Sequence, residues 1–114
     1  MRLLLDELWE ILGAELGSRA LAQQVMGEHA IPNIPGVSKL DLIEAVIAPG
    51  SGTTTPTGQT LLCWVTAGDV TLTLAGRTTR FGAGDSFIVP KGAARREWNE
   101  GRVENRQMIF RVFH

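Results

Sequence analysis

Tyrosine is absent from these 114 residues, cysteine occurs once and histidine twice. A lone cysteine, Cys63, excludes an intrachain disulfide and any cysteine-rich zinc site. It lies in the apolar run Leu61-Leu62-Cys63-Trp64-Val65, where a buried, inert thiol is expected. An excess of either charge is also missing. Eleven Lys and Arg oppose twelve Asp and Glu, a net charge of −1. That balance leaves no electrostatic footprint for nucleic acid or an anionic membrane. No apolar run reaches membrane-spanning length. Asp6, Glu7 and Glu10 break up the first apolar residues, and no small-residue cleavage site follows, so a secretory signal is not expected. A cytoplasmic location is the resulting expectation.

What is present is an ordinary globular composition, 44% hydrophobic and 20% charged, in a length that suits one domain. Leu4, Leu8, Ile11 and Leu12 recur at helical spacing, with Leu5 and Trp9 widening the stripe. Ser18 reads as the N-cap of a second short helix through Met26, stopped by Gly27. Pro32, Pro35 and Gly36 make the following segment a linker. Residues 1–36 are therefore expected to be a helical extension and linker. From residue 37 to 114 the period becomes strand-like. Val70-Thr71-Leu72-Thr73-Leu74 alternates cleanly, and Gly and Pro turns separate many short runs, a pattern that argues an all-β sandwich or barrel. The helix stripe must be buried on its own barrel or on a second chain. With Trp64 and Trp98 on the outward face, a homodimer is expected.

Gly84, Pro90, Gly92 and Asn99 stand on the spacing of the second sequence motif of the cupins, with the apolar run Phe87-Ile88-Val89 before the proline. Gly84-Asp85 reads as a hairpin turn, Pro90 as a strand end and Gly92 as a backbone special position. The span from Val46 to Val112 resembles a single cupin domain, which implies a jelly-roll barrel. Where that motif carries a metal-binding histidine this chain has Arg95. The first motif is eroded. Anchored on Gly68, its glutamate falls on Leu61 and its two histidines near Thr55 and Thr57, with Gln59 and Thr60 as alternatives.

The resemblance would imply a bound metal, but threonine, leucine and arginine are not the ligands such a site needs. A guanidinium about 4 Å from a divalent ion would be repelled by roughly 8 kcal/mol at an effective dielectric of 20. No metal and no other cofactor is expected. Some metal-free members of the fold are sugar epimerases or isomerases that use a histidine base and a tyrosine acid, which this barrel lacks. With the motif's register kept, Arg95 and Glu97 point into the barrel and Arg96 and Trp98 out, while Leu61, Cys63 and Val65 point in. The lumen then has an apolar floor with Arg95 and threonine hydroxyls near its mouth. A buried arginine must be paired. Its partner is either Glu97, as a structural ion pair, or a small carboxylate or phosphate held in bidentate fashion. The expected role is a non-enzymatic or accessory binder of a small anion, through Arg95, Thr55, Thr57, Gln59 and Glu97. The alternative is a metabolite isomerase or hydrolase in which Arg95 binds substrate and Glu97 moves protons.

Overall fold

The computed structural model describes residues 21–30 and 34–114. Among these described residues nine strands follow one another: β1 (Leu21–Ala30), β2 (Lys39–Ile47), β3 (Ser51–Thr53), β4 (Thr60–Ala67), β5 (Val70–Leu74), β6 (Arg77–Phe81), β7 (Ser86–Val89), β8 (Arg95–Asn99) and β9 (Asn105–Phe113). They form a five-stranded sheet in the order β1-β2-β9-β4-β7 and a four-stranded sheet in the order β3-β8-β5-β6. The two sheets face each other as a jelly-roll barrel, as expected. Among the described residues no helix is long and apolar enough to cross a membrane.

The alternation of side chains decides what fills the interior. On β2, Ile43, Ala45 and Ile47 face inward. They meet Leu61, Cys63 and Val65 of β4, Val70 and Leu72 of β5, Phe87 and Val89 of β7 and Ile109 of β9. Trp64 and Ile88, on the other phase of their strands, are exposed on the outer face. Trp64 meets the edge of Phe110 there, at a centroid distance of 5.6 Å. Trp98 also faces outward, with the Arg96 guanidinium 4.6 Å from its ring centroid.

One sequence expectation is overturned. The segment from Leu21 to Met26 is strand, not the end of a helix begun at Ser18, so the sheet already includes residues assigned to the extension. The apolar residues fit a helical stripe, yet so short a helix is marginal by itself. Pairing with the whole of β2, from Leu21↔Ile47 to Ala30↔Lys39, satisfies the same backbone groups. It also turns Gln23 toward the interior beside Ala45. Ser18 and the Leu4-to-Leu12 stripe lie outside the described residues. A second correction concerns Gly84-Asp85. The turn joins strands of different sheets, β6 and β7, and is therefore a barrel corner and not a hairpin.

Two glycines permit close approaches that shape the barrel. A Cβ at Gly52 would run into the Glu97 carbonyl, so β3 lies against β8 only because that position is bare. At Gly68 the backbone is left-handed, φ 67°, and a side chain would strike the Glu104 carbonyl.

The β5–β6 hairpin has a two-residue loop, with Leu74 paired to Arg77. Ala75 and Gly76 both have positive φ, 51° and 75°. That is the signature of a type I′ turn, whose first position favours asparagine over alanine. An L-alanine there costs about 1–2 kcal/mol. Ala75→Asn is expected to raise stability by about 1 kcal/mol, or several degrees in Tm. Thermal melts showing no gain would mean that the turn is not strained.

Candidate functional site

The register of β8 brings Arg95, Glu97 and Asn99 to the inner face of the barrel and leaves Arg96 and Trp98 outside. Arg95 sits at one end of a cavity of about 200 Å³ between the sheets. Its polar lining is Gln23, Thr53, Thr57, Gln59, Arg95, Glu97 and Arg111, over a base that includes Ile43, Ile47, Leu61 and Ile109. Each guanidinium is already engaged, but in different ways. Arg111 grips Asp41 with two parallel bonds, Nε to Oδ1 at 2.8 Å and Nη2 to Oδ2 at 2.6 Å. Arg95 gives Nη1 to Glu97 Oε1 at 3.2 Å and Nε to the Thr55 carbonyl at 3.1 Å. Its Nη2 donates to no protein acceptor among the described residues. The Arg111–Asp41 pair is closed, and the Arg95–Glu97 pair is open on one side.

Below Arg95 a polar chain runs through the barrel. Gln107 Nε2 donates to Glu97 Oε2 at 2.8 Å and to Asn105 Oδ1 at 2.7 Å, and Asn105 Nδ2 donates to the Ala67 carbonyl at 3.3 Å. Glu97, Gln107 and Asn105 are all buried, so the interior is not the purely apolar floor expected from the sequence. Gln107 Oε1 is buried with no partner among the described residues. Asn99, also buried, donates to the Ile47 and Val103 carbonyls and ties β8 to its neighbours.

Burial pushes the Glu97 carboxyl above its ordinary value of 4.5, against the opposing pull of Arg95 and the Gln107 hydrogen bond. Burial also raises the Cys63 thiol, helped by the nearby Glu97 charge and opposed by Arg95, so Cys63 is a neutral core thiol and no nucleophile.

Of the residues singled out from sequence, Arg95, Glu97, Thr57 and Gln59 line one cavity. Thr57 and Gln59 are tied by Gln59 N to Thr57 Oγ1 at 3.2 Å. Thr55 is exposed and contributes its backbone carbonyl, which holds Arg95, in place of its hydroxyl. Arg111, Asp41, Gln107 and Gln23 were missed. Counting in steps of two from Ile109 and from Ile43 reaches Arg111, Gln107 and Asp41; Gln23 was hidden by the helical reading.

The donors do not fit the metal that the fold family implies. Leu61 is a buried hydrocarbon, the Thr55 side chain points to solvent, and Arg95 puts a cation where a ligand would stand. Among the described residues no three His, Cys, Asp or Glu side chains gather in one place.

The Glu97 shift has a consequence for stability. The native state holds a proton on Glu97 more readily than the unfolded chain does. This contribution is fully present below the ordinary value of 4.5 and is lost as pH rises through the raised one. Arg95→Met should steepen that loss, reaching about 3 kcal/mol at alkaline pH and much less in acid. Glu97→Gln should flatten it. Denaturant midpoints across pH test this, and three parallel profiles would contradict it.

The cupin domain family model matches residues 44–108, more than half of the chain. No curated protein matches. Among solved structures, an RmlC-like cupin from Shewanella frigidimarina is 17% identical with a TM-score of 0.65, covering 83% of this chain and 78% of that one. The cupin domain of an XRE family transcriptional regulator from Enterobacter cloacae is 14% identical with a TM-score of 0.64, covering 83% and 97%. A putative sugar phosphate isomerase from Acidithiobacillus ferrooxidans is 20% identical with a TM-score of 0.57, covering 66% and 51%. At these identities the likeness is one of fold. Together with the two facing sheets and the family match from within β2 to within β9, it places the chain among the cupins, with Arg95 and Glu97 on the inner face of the barrel.

Proposed function

We propose that this cupin is a binding module that takes a small anion, a carboxylate in the first instance, into the lumen beside Arg95. The observation that carries the reading is the unsaturated guanidinium. Arg95 is nearly buried yet engaged at one nitrogen by a single carboxylate oxygen and at another by a carbonyl. Guanidinium recognises carboxylate best through two parallel bonds, and the Arg111–Asp41 pair in the same cavity is made that way. Arg95 keeps donors for such a partner, and Thr57 and Gln59 add neutral polar groups at the mouth. The volume limits the ligand. At about 30 Å³ per water-sized group, the cavity's 200 Å³ holds on the order of seven non-hydrogen atoms. Cupin domains of this size also occur within a transcriptional regulator, where a role in sensing would suit a binder without catalysis.

A second reading keeps one specific support. A buried carboxyl with a raised pKa facing a cavity is the kind of group that moves protons, so an isomerase or hydrolase with Glu97 as acid or base is the alternative. The fold likeness to a putative sugar phosphate isomerase is compatible with it.

A thermal screen with acetate, propionate, pyruvate and inorganic phosphate tests the binding reading. A ligand at about 100 times its Kd stabilises by roughly 2.7 kcal/mol, a shift on the order of 10 °C for a domain of this size. Arg95→Met should stay folded and lose the shift. Flat melting curves with all four anions would overturn the proposal.

A further inference from the structure

Resting on that reading, we infer that the lumen takes up one proton at the Glu97 carboxyl for each carboxylate it binds, so that an anion and a proton enter together.

The argument is one of charge and space. The cavity holds two guanidiniums, Arg95 and Arg111, and each has one carboxylate partner, Glu97 and Asp41. The site is therefore neutral when both carboxylates are ionised. An incoming anion adds a net negative charge beside buried groups, which low-dielectric surroundings disfavour. Something must then give up a negative charge. Asp41 is buried and locked to Arg111 by two short bonds. Glu97 has only the single 3.2 Å contact to Arg95 and one bond from the neutral Gln107 amide.

Among the described residues, the strands packed against Glu97 bring few titratable groups to it. On β3 the neighbour is Thr53 and on β5 it is Leu72. From β4 comes the neutral Cys63 thiol. From β9 come Gln107, which does not titrate, and Arg111, with Asp41 of β2 behind it.

Two carboxyl groups on one guanidinium also repeat a familiar situation, in which like charges a few ångströms apart share a proton instead of both ionising. The step is a simple protonation. Solvent supplies the proton to one Glu97 oxygen, the ionic contact to Arg95 Nη1 becomes a neutral one, and the entering carboxylate takes the guanidinium as its counterion. No bond other than O–H is made.

Isothermal titration calorimetry on the full chain reads this directly. Acetate, propionate and pyruvate are titrated in turn in buffers of differing ionisation enthalpy, from about pH 6 to about pH 8.5, where each is an anion. The expected result is proton uptake that rises with pH toward one per bound carboxylate as Glu97 ionises in the free protein, with affinity then falling up to about tenfold per pH unit. Glu97→Gln, which mimics the protonated carboxyl, should bind the same probe without proton uptake and with flat pH dependence. If that variant does not fold, infrared difference spectra of the wild type supply the same information, because a protonated-carboxyl band should appear on binding. A carboxylate that binds with no proton uptake, or proton uptake unchanged in Glu97→Gln, overturns the inference and leaves the binding reading standing. Failure of all three carboxylates to bind removes the inference, and failure of inorganic phosphate as well removes the binding reading with it.

Discussion

Everything distinctive about this barrel hangs on a cation placed inside it. Arg95 reaches the lumen because β8 alternates, and a guanidinium in that position must find an anion or cost the protein several kcal/mol. Glu97, two residues along the same strand and on the same face, is the anion supplied. The carboxylate in turn needs support, which Gln107 and Asn105 pass on to the Ala67 carbonyl across the barrel. Outside the pair, the Thr55 carbonyl fixes the guanidinium's orientation and so fixes the loop between β3 and β4. Bare Gly52 lets β3 lie against the Glu97 backbone. The surroundings of Arg95 thus draw on β3, β8, β9 and the loop between β3 and β4.

Two opposing effects act on Glu97. The attraction of Arg95 favours the carboxylate; burial favours the acid. Burial wins, because the ion pair is a single, long contact while the carboxyl itself is almost wholly buried. Where the geometry is better, as between Arg111 and Asp41, two short bonds close the pair. The contrast within one cavity separates an arginine kept for structure from one left with donors to spare. It is also why a small anion is a better reading of the lumen than a filled, purely structural core.

Much of this was legible in the sequence because the barrel strands obey a simple alternation. The inward set Leu61, Cys63, Val65 and the shared inward face of Arg95 and Glu97 both follow from period two, and the glycines and proline of the motif supplied the register. The failures have physical causes. Leu21 to Met26 satisfies a helical stripe and a strand equally well, and only β2, distant in sequence, decides between them. Thr55 was expected to offer its hydroxyl, but the loop turns the side chain out and the carbonyl in. The polar chain below Arg95 is not legible because polar side chains such as Asn105 and Gln107 carry no sign of burial until β9 is placed in the centre of the five-stranded sheet. Arg111 and Asp41 stand 70 residues apart in the sequence on strands that the sheet sets side by side, and nothing local announces that they meet.

The central claim is that Glu97 is an under-ionised partner of Arg95 and not half of a saturated salt bridge. Carbon-detected NMR of the glutamate side-chain carboxyls, with Glu97 assigned by its loss in Glu97→Gln, measures this in the ligand-free protein. The account predicts a Glu97 titration midpoint clearly above the ordinary 4.5, moving higher still in Arg95→Met. A midpoint at or below the ordinary value would contradict it, and would make the pair a closed structural bridge with no call for another anion.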